Sequence, residues 1–137
     1  MFAPDTKILI VDDMPMMRKI IKKYLGQQGL QNITEANDGA VAWPLIEAAA
    51  AAGTPFQFIC SDWNMPQMEG IELLKLVRGH PLMKSVPFLM ITAEAEKGPL
   101  AEAFSSGVTS YIIKPFTAET FFEKLGNLFP AAAPKAE

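Results

Sequence analysis

With 137 residues, half of them hydrophobic, the chain has material for one ordinary core, so a single domain is expected. Its 12 basic and 15 acidic residues are mixed along the chain and leave a formal net charge of −3; that balance excludes the basic footprint of a nucleic-acid or anionic-membrane binder and points to protein or small-molecule partners. The single cysteine, Cys60, cannot form an internal disulfide, no run approaches membrane-spanning length, and the opening MFAPDTK lacks a signal-peptide core, so a cytoplasmic setting is expected.

The β-branched run KILIV, residues 7–11, predicts a strand. Behind it, Met17, Ile20, Ile21, Tyr24 and Leu25 recur at helical spacing, with Pro15 available for the first turn and Gly26 and Gly29 near the end. QNITEA predicts a second strand, Asp38 and Gly39 a turn or helix start, and VAWPLIEAAAAAG an alanine-rich helix in which Pro44 should introduce a kink or delay the start. FQFICS is a third strand, IELLKLVRG a helix, VPFLMIT a fourth strand, LAEAFSSG a helix, VTSYII a fifth strand and TAETFFEKLGNLF a last helix. Residues 130–137, PAAAPKAE, read as a flexible solvated tail, leaving 1–129 as the domain.

Strict alternation with nearly continuous apolar strands predicts a doubly wound α/β fold, a five-stranded parallel sheet covered by five helices. Such sheets bind ligands beyond the carboxyl ends of their strands. There the sequence places Asp12 and Asp13, then Asp62 with Asn64, then Thr92, and finally Lys114 with Pro115. Three crowded carboxylates raise one another's pKa unless a cation neutralises them, and an all-oxygen donor set favours magnesium. Asp62 can then attack phosphorus as a carboxylate nucleophile, Lys114 can neutralise a phosphoryl oxygen, and the Thr92 hydroxyl can donate to another. Positioning and charge stabilisation are what phosphoryl transfer chiefly needs.

The motifs VDD, SDWNMP, ITAEA and YIIKPF together resemble the receiver domain of two-component response regulators, in particular those that stand alone in chemotaxis, and the likeness covers nearly the whole chain. It implies a flavodoxin-like strand order 2-1-3-4-5, Asp62 as phospho-acceptor, and magnesium held by Asp12, Asp13, Asp62 and the backbone carbonyl of Asn64. It also implies Thr92 and Tyr111 as a switch pair, Asn64 and Glu94 as residues governing phosphoryl lifetime, and a cis bond before Pro115. Ala95, Lys97, Leu100, Tyr111, Phe116, Ala118 and Lys124 match the surface that meets a flagellar switch. Implied partners are a chemotaxis-type histidine kinase, that switch protein or another phosphorylation-dependent target, and a phosphatase. Beyond handling its own phosphoryl group the chain is not expected to be an enzyme, and a monomer is the default. With no output domain, the signal is expected to leave by protein contact.

Taken singly, each of these residues has a structural reading. Asp12 and Asp13 suit a helix cap, Thr92 a strand end, Lys114 a solvated charge, and Tyr111 an ordinary core position. Cys60 reads as an inert buried thiol, the rim methionines Met14, Met16, Met17, Met65 and Met68 as packing, and Arg18, Lys19, Lys22 and Lys23 as the solvent face of the first helix. Gly98 and Pro99 fall where the fourth helix should begin and are expected to shorten or shift its first turn. The rival from another class is a haloacid-dehalogenase-like phosphatase, whose DxD pattern the adjacent Asp12 and Asp13 do not match. A receiver-like module that is never phosphorylated, and a phosphate sink or relay shuttle docking through the first helix, are the remaining alternatives.

Overall fold

The computed structural model describes residues 3–93 and 97–132. Five strands alternate with five helices: β1 (Ile8–Val11), α1 (Pro15–Gln27), β2 (Ile33–Ala36), α2 (Gly39–Ala51), β3 (Phe58–Asp62), α3 (Gly70–Gly79), β4 (Phe88–Thr92), α4 (Lys97–Ser105), β5 (Ser110–Ile113) and α5 (Ala118–Ala132). All strand pairs are parallel, in the order β2-β1-β3-β4-β5. The chain moves one way from β1 to β2 and then reverses towards β5. With crossovers of one hand, that reversal puts α1 and α5 on one face and α2, α3 and α4 on the other.

Two apolar layers result. Ile21 and Leu25 of α1 and Phe121, Leu125 and Leu128 of α5 pack on Ile8, Ile10, Phe58, Cys60, Leu89, Ile91 and Ile112. On the opposite face Ala42, Ile46, Leu73, Leu74, Val77 and Ala103 cover Leu9, Val11, Ile59, Phe88 and Met90. Because β1, β3 and β4 are buried on both faces, every residue of these strands is apolar or seals a polar group inside, and period-two alternation is missing.

Local chemistry sets the element ends. Gly29, at φ +81°, closes α1: its N–H donates to Gly26 O at 2.9 Å and that of Leu30 to Leu25 O at 3.0 Å. Asp38 caps α2 by accepting from Val41 N–H, and Glu69 and Glu72 form a reciprocal capping box on α3. Pro44 does not delay α2, which begins at Gly39. The ring lies on the exposed side, and the bond it removes belongs to the carbonyl of exposed Ala40, which water can satisfy. Nor do Gly98 and Pro99 push back α4: it starts at Lys97, ahead of both, and a proline in the first turn forfeits only an N–H with no partner in the helix. The last helix continues through Pro130 to Ala132, past the residue where the apolar pattern ends, and residues 133–137 lie outside those described. Among the described residues no helix is long and apolar enough to cross a membrane.

Candidate functional site

The strand order reverses between β1 and β3, and the register there pairs Val11 with Ser61, so the next residues, Asp12 and Asp62, emerge side by side. Carboxylate oxygens of Asp12, Asp13 and Asp62 lie within 4.8 Å of one another. Asp12 and Asp62 are buried; Asp13 is exposed. Lys114, just past the end of β5, reaches the pair from the other side, with Nζ 3.2 Å from Asp62 Oδ1 and 3.7 Å from Asp12 Oδ2. The peptide bond from Lys114 to Pro115 is cis.

Neither acid of the pair caps α1. Its N-cap is Met14, which makes no side-chain capping bond, and Pro15 opens the first turn. Asp12 is instead fastened within its own loop: Oδ1 accepts from Met14 N–H at 2.9 Å, its N–H donates to Ala36 O, and its carbonyl accepts from Arg18 Nη1 at 2.6 Å. Only Asp12 Oδ2, among the described buried side-chain polar atoms, lacks a hydrogen-bond partner. Burial pushes the Asp12 carboxyl up, opposed by the Met14 N–H and helped by repulsion from Asp62. Burial also raises Asp62, against the pull of the Lys114 ammonium.

Both carboxyls therefore stay displaced upward even with Lys114 between them. The cluster is short of positive charge, and its donors are all hard oxygens, one of them buried without a hydrogen bond and only 3.7 Å from the Lys114 ammonium. Those features fit a small divalent cation such as magnesium, for which Asp12, Asp13 and Asp62 would be the side-chain ligands.

The remaining expected residues, among those described, lie on β4, β5, the loops after β3 and β5, and the helices α4 and α5. Thr92 ends β4, fully buried, one residue beyond Ile91, the register partner of Asp62; its carbonyl accepts from Lys114 N–H at 2.7 Å. Asn64 is exposed on the loop after β3. Tyr111 lies further down β5, opposite Met90, half-buried between the Phe104 ring, edge-on at 5.6 Å, and the Lys124 ammonium, 4.8 Å over its ring. Phe116 packs with Tyr24 and Phe121, and Ala118 opens α5. Lys97 and Leu100 lie in the first turns of α4, while Glu94 and Ala95 fall outside the described residues. Trp63, beside Asp62, is 7% exposed.

Two residues at the site escaped the sequence reading. Gly70 donates its N–H to Trp63 O, and a Cβ there would run into the Asp62 carbonyl oxygen, with Trp63 Cα at 3.1 Å. A glycine opening an apolar helical run was the available signal. Arg18, assigned to a solvent-facing cluster, turns inward to Asp12 and Glu35. The methionine reading also divides: Met65 is buried, but Met14 and Met16, at the start of α1, are 52% and 65% exposed. Cys60 is fully buried, and burial together with the nearby Asp12 and Asp62 charges pushes its thiol far up.

Residues 8–126 match the family described as response regulator receiver domain. The chain belongs to that family. Chemotaxis protein CheY-3 of Vibrio cholerae serotype O1 is 48% identical over 123 residues, spanning 90% of this chain and 91% of that protein. Chemotaxis protein CheY of Pseudomonas aeruginosa is 46% identical across 90% of this chain and 95% of its own. Among solved structures, Vibrio cholerae CheY4 superposes with a TM-score of 0.76 at 35% identity, covering 88% of this receiver and 96% of that chain. This is thus a CheY-like receiver domain, with the five-stranded 2-1-3-4-5 sheet of its relatives.

Proposed function

We propose that this receiver is a single-domain two-component regulator of chemotaxis that is phosphorylated on Asp62 by a histidine kinase and signals by phosphorylation-dependent protein binding. The observation that carries the reading is the placement of the Asp62 carboxylate between a lysine ammonium 3.2 Å away and two further carboxylates. One Asp62 oxygen attacks the donor phosphorus in line. The donor's P–N bond, or the P–O bond of a small acyl phosphate, breaks, its electron pair leaves with the donor, and an acyl phosphate remains on Asp62. Asp12, Asp13, Asp62 and the Asn64 carbonyl would hold magnesium, which when bound would supply the charge neutralisation that an acidic pocket needs to admit a phosphoryl group.

Lys114 holds a phosphoryl oxygen as a point charge, and Thr92 donates its hydroxyl to another. Tyr111 is the second half of the switch, and Asn64 and Glu94 tune access of the hydrolytic water. The output face is formed by Ala95, Lys97, Leu100, Tyr111, Phe116, Ala118 and Lys124. A shallow groove of about 310 Å³ lined by Tyr111, Ile113, Phe116, Thr120 and Lys124 supports that assignment. The names of the CheY relatives support the chemotaxis role; a flagellar switch protein as target and a monomeric, cytoplasmic working state complete the proposal.

The test is intact-mass spectrometry after acetyl phosphate treatment, with and without magnesium, alongside Asp62→Asn. The expected result is one magnesium-dependent phosphoryl adduct, absent from the variant. No adduct, or one that survives in Asp62→Asn, overturns the assignment: the first returns the chain to the class of unphosphorylated interaction modules, and the second places the acceptor on another residue.

A further inference from the structure

The basic residues of α1 are not equivalent. Lys19 and Lys23 are exposed, whereas the Arg18 side chain is only 18% exposed and its guanidinium is used twice: Nε pairs with Glu35 Oε1 at 2.9 Å, and Nη1 donates to the Asp12 carbonyl at 2.6 Å. Glu35, on β2, is held in turn by Lys22 Nζ at 2.9 Å, and these two cations draw its carboxyl below its ordinary value. The carbonyl that Arg18 grips belongs to the peptide joining Asp12 to Asp13. With the Asp12 N–H on Ala36 O and Oδ1 on the Met14 N–H, Arg18 completes the restraint of this loop and sets the plane from which Asp13 projects.

From this geometry we infer that Arg18 is a positioning residue for the divalent-cation site, acting through the Asp12–Asp13 peptide with Glu35 as its anchor. The inference rests on the magnesium reading of the acidic cluster given above. A planar guanidinium suits the role because one rigid fork serves a carboxylate and a carbonyl in different directions. A lysine ammonium in its place is a single point and can hold only one of them firmly. Groups that orient metal ligands without touching the metal typically govern affinity by about 10–100-fold.

The sign of the effect separates positioning from simple electrostatics. Deleting a positive charge close to a cation site removes repulsion and on its own tightens magnesium binding. Deleting a residue that holds the ligands in place loosens it. Magnesium titration of Trp63 fluorescence in the intact chain, checked by calorimetry, is therefore decisive for Arg18→Met and for the charge-conserving Arg18→Lys, and is repeated on Glu35→Gln, where loss of a negative charge by itself also loosens the cation. Each is paired with a thermal melt in EDTA to establish that the metal-free fold is intact.

Arg18→Met is expected to weaken magnesium binding about tenfold, Arg18→Lys to recover a minor part of the loss, and Glu35→Gln, which frees the anchor but leaves the bond to Asp12 possible, to weaken it about threefold. At saturating magnesium the phosphoryl adduct of Arg18→Met should return to the wild-type level, since Arg18 touches neither Asp62 nor the phosphoryl group. Unchanged or tighter binding in Arg18→Met overturns the inference, as does full recovery in Arg18→Lys. If Arg18→Met does not fold, the same titration of Arg18→Lys decides, since it keeps the charge and loses only the fork: weaker binding supports positioning and wild-type affinity overturns it, while wild-type affinity in Glu35→Gln refutes the anchor. Absence of magnesium binding by the wild-type chain fails the underlying cation reading instead, a separate outcome visible before any variant is made.

Discussion

Neutralising Asp62 should stabilise the metal-free protein. With an effective dielectric constant near 20, attraction to the Lys114 ammonium at 3.2 Å is worth about 5 kcal/mol. Repulsion from the Asp12 carboxylate, within 4.8 Å, returns about 3.5 kcal/mol of that. Exposed Asp13 adds a smaller, solvent-screened share, and burying a carboxylate costs several kcal/mol more. The sum disfavours the charged form, in accord with the upward displacement of the Asp62 carboxyl. Asp62→Asn, isosteric and still able to accept from Lys114, should therefore gain about 1–2 kcal/mol at pH 7.5 in EDTA, or about 4–8 °C in Tm. A carboxyl whose folded pKa is raised stabilises the fold when protonated in both states and loses that contribution as pH rises through the folded value. The advantage of the variant must accordingly vanish as pH falls below the ordinary aspartate value of 3.8, and magnesium must narrow it at pH 7.5 by stabilising the wild type more than the variant. Urea denaturation at both pH values, with and without magnesium, measures all of this. An Asp62→Asn protein equal to or less stable than wild type in EDTA at pH 7.5 would show that Lys114 already balances the cluster, leaving no need for a further cation.

Lys114→Met removes the ammonium beside the buried acids and should cost about 2 kcal/mol in EDTA by urea denaturation, with magnesium binding tightened and the yield of phosphoryl adduct reduced. Gly70→Ala drives a methyl group into the Asp62 carbonyl oxygen; a loss of about 1–3 kcal/mol by the same assay, with weaker magnesium quenching of Trp63, is expected, and wild-type values for both would show that the loop relaxes freely. Phe104→Ala takes away the edge contact on Tyr111, and tyrosine-ring NMR should find the alternative rotamer about 2–10 times more populated, with no change counting against a restraint at this position.

The fold was legible because parallel strands buried on both faces must be written as short apolar runs, and runs such as ILIV and FLMIT have few other uses in a chain of this size. The acidic centre was legible for a related reason: Asp12 and Asp62 each follow such a run directly, and the topology of a doubly wound sheet brings those ends together whatever the helices do. What stayed hidden depends on partners far apart in sequence. Nothing near Arg18 announces that Glu35, on the next strand, will turn its guanidinium back to Asp12, so an amphipathic pattern assigned it to solvent. The delayed start expected at Pro44 and the shifted start expected at Pro99 misled for the opposite reason, because a local rule about helix interiors ignores where in the helix, and on which side, the lost hydrogen bond falls.

The restraints on Tyr111 also bear on how sharp a switch this geometry supports. Besides packing against the apolar core, its ring is held by one edge contact with Phe104, worth about 0.5–1.5 kcal/mol, and by the Lys124 ammonium, worth about 0.5–1 kcal/mol at a partly exposed site. A bias of that size leaves the alternative orientation populated at roughly 1–15% before any phosphoryl group arrives. Reversing a 99:1 equilibrium takes about 5.5 kcal/mol, but a bias of about 1–2.5 kcal/mol needs far less. One charge-assisted hydrogen bond from Thr92 to a phosphoryl oxygen, worth about 1.5–3 kcal/mol, is commensurate with it. Thr92 pairs with Ile113, two residues beyond Tyr111 on β5, and its carbonyl holds the Lys114 N–H, so a shift at Thr92 reaches that strand through a single rung of the sheet. On the switch reading, the output should therefore be graded: partner binding detectable without phosphorylation and enhanced about 10–100-fold by it, where a strongly latched tyrosine would give an all-or-none response.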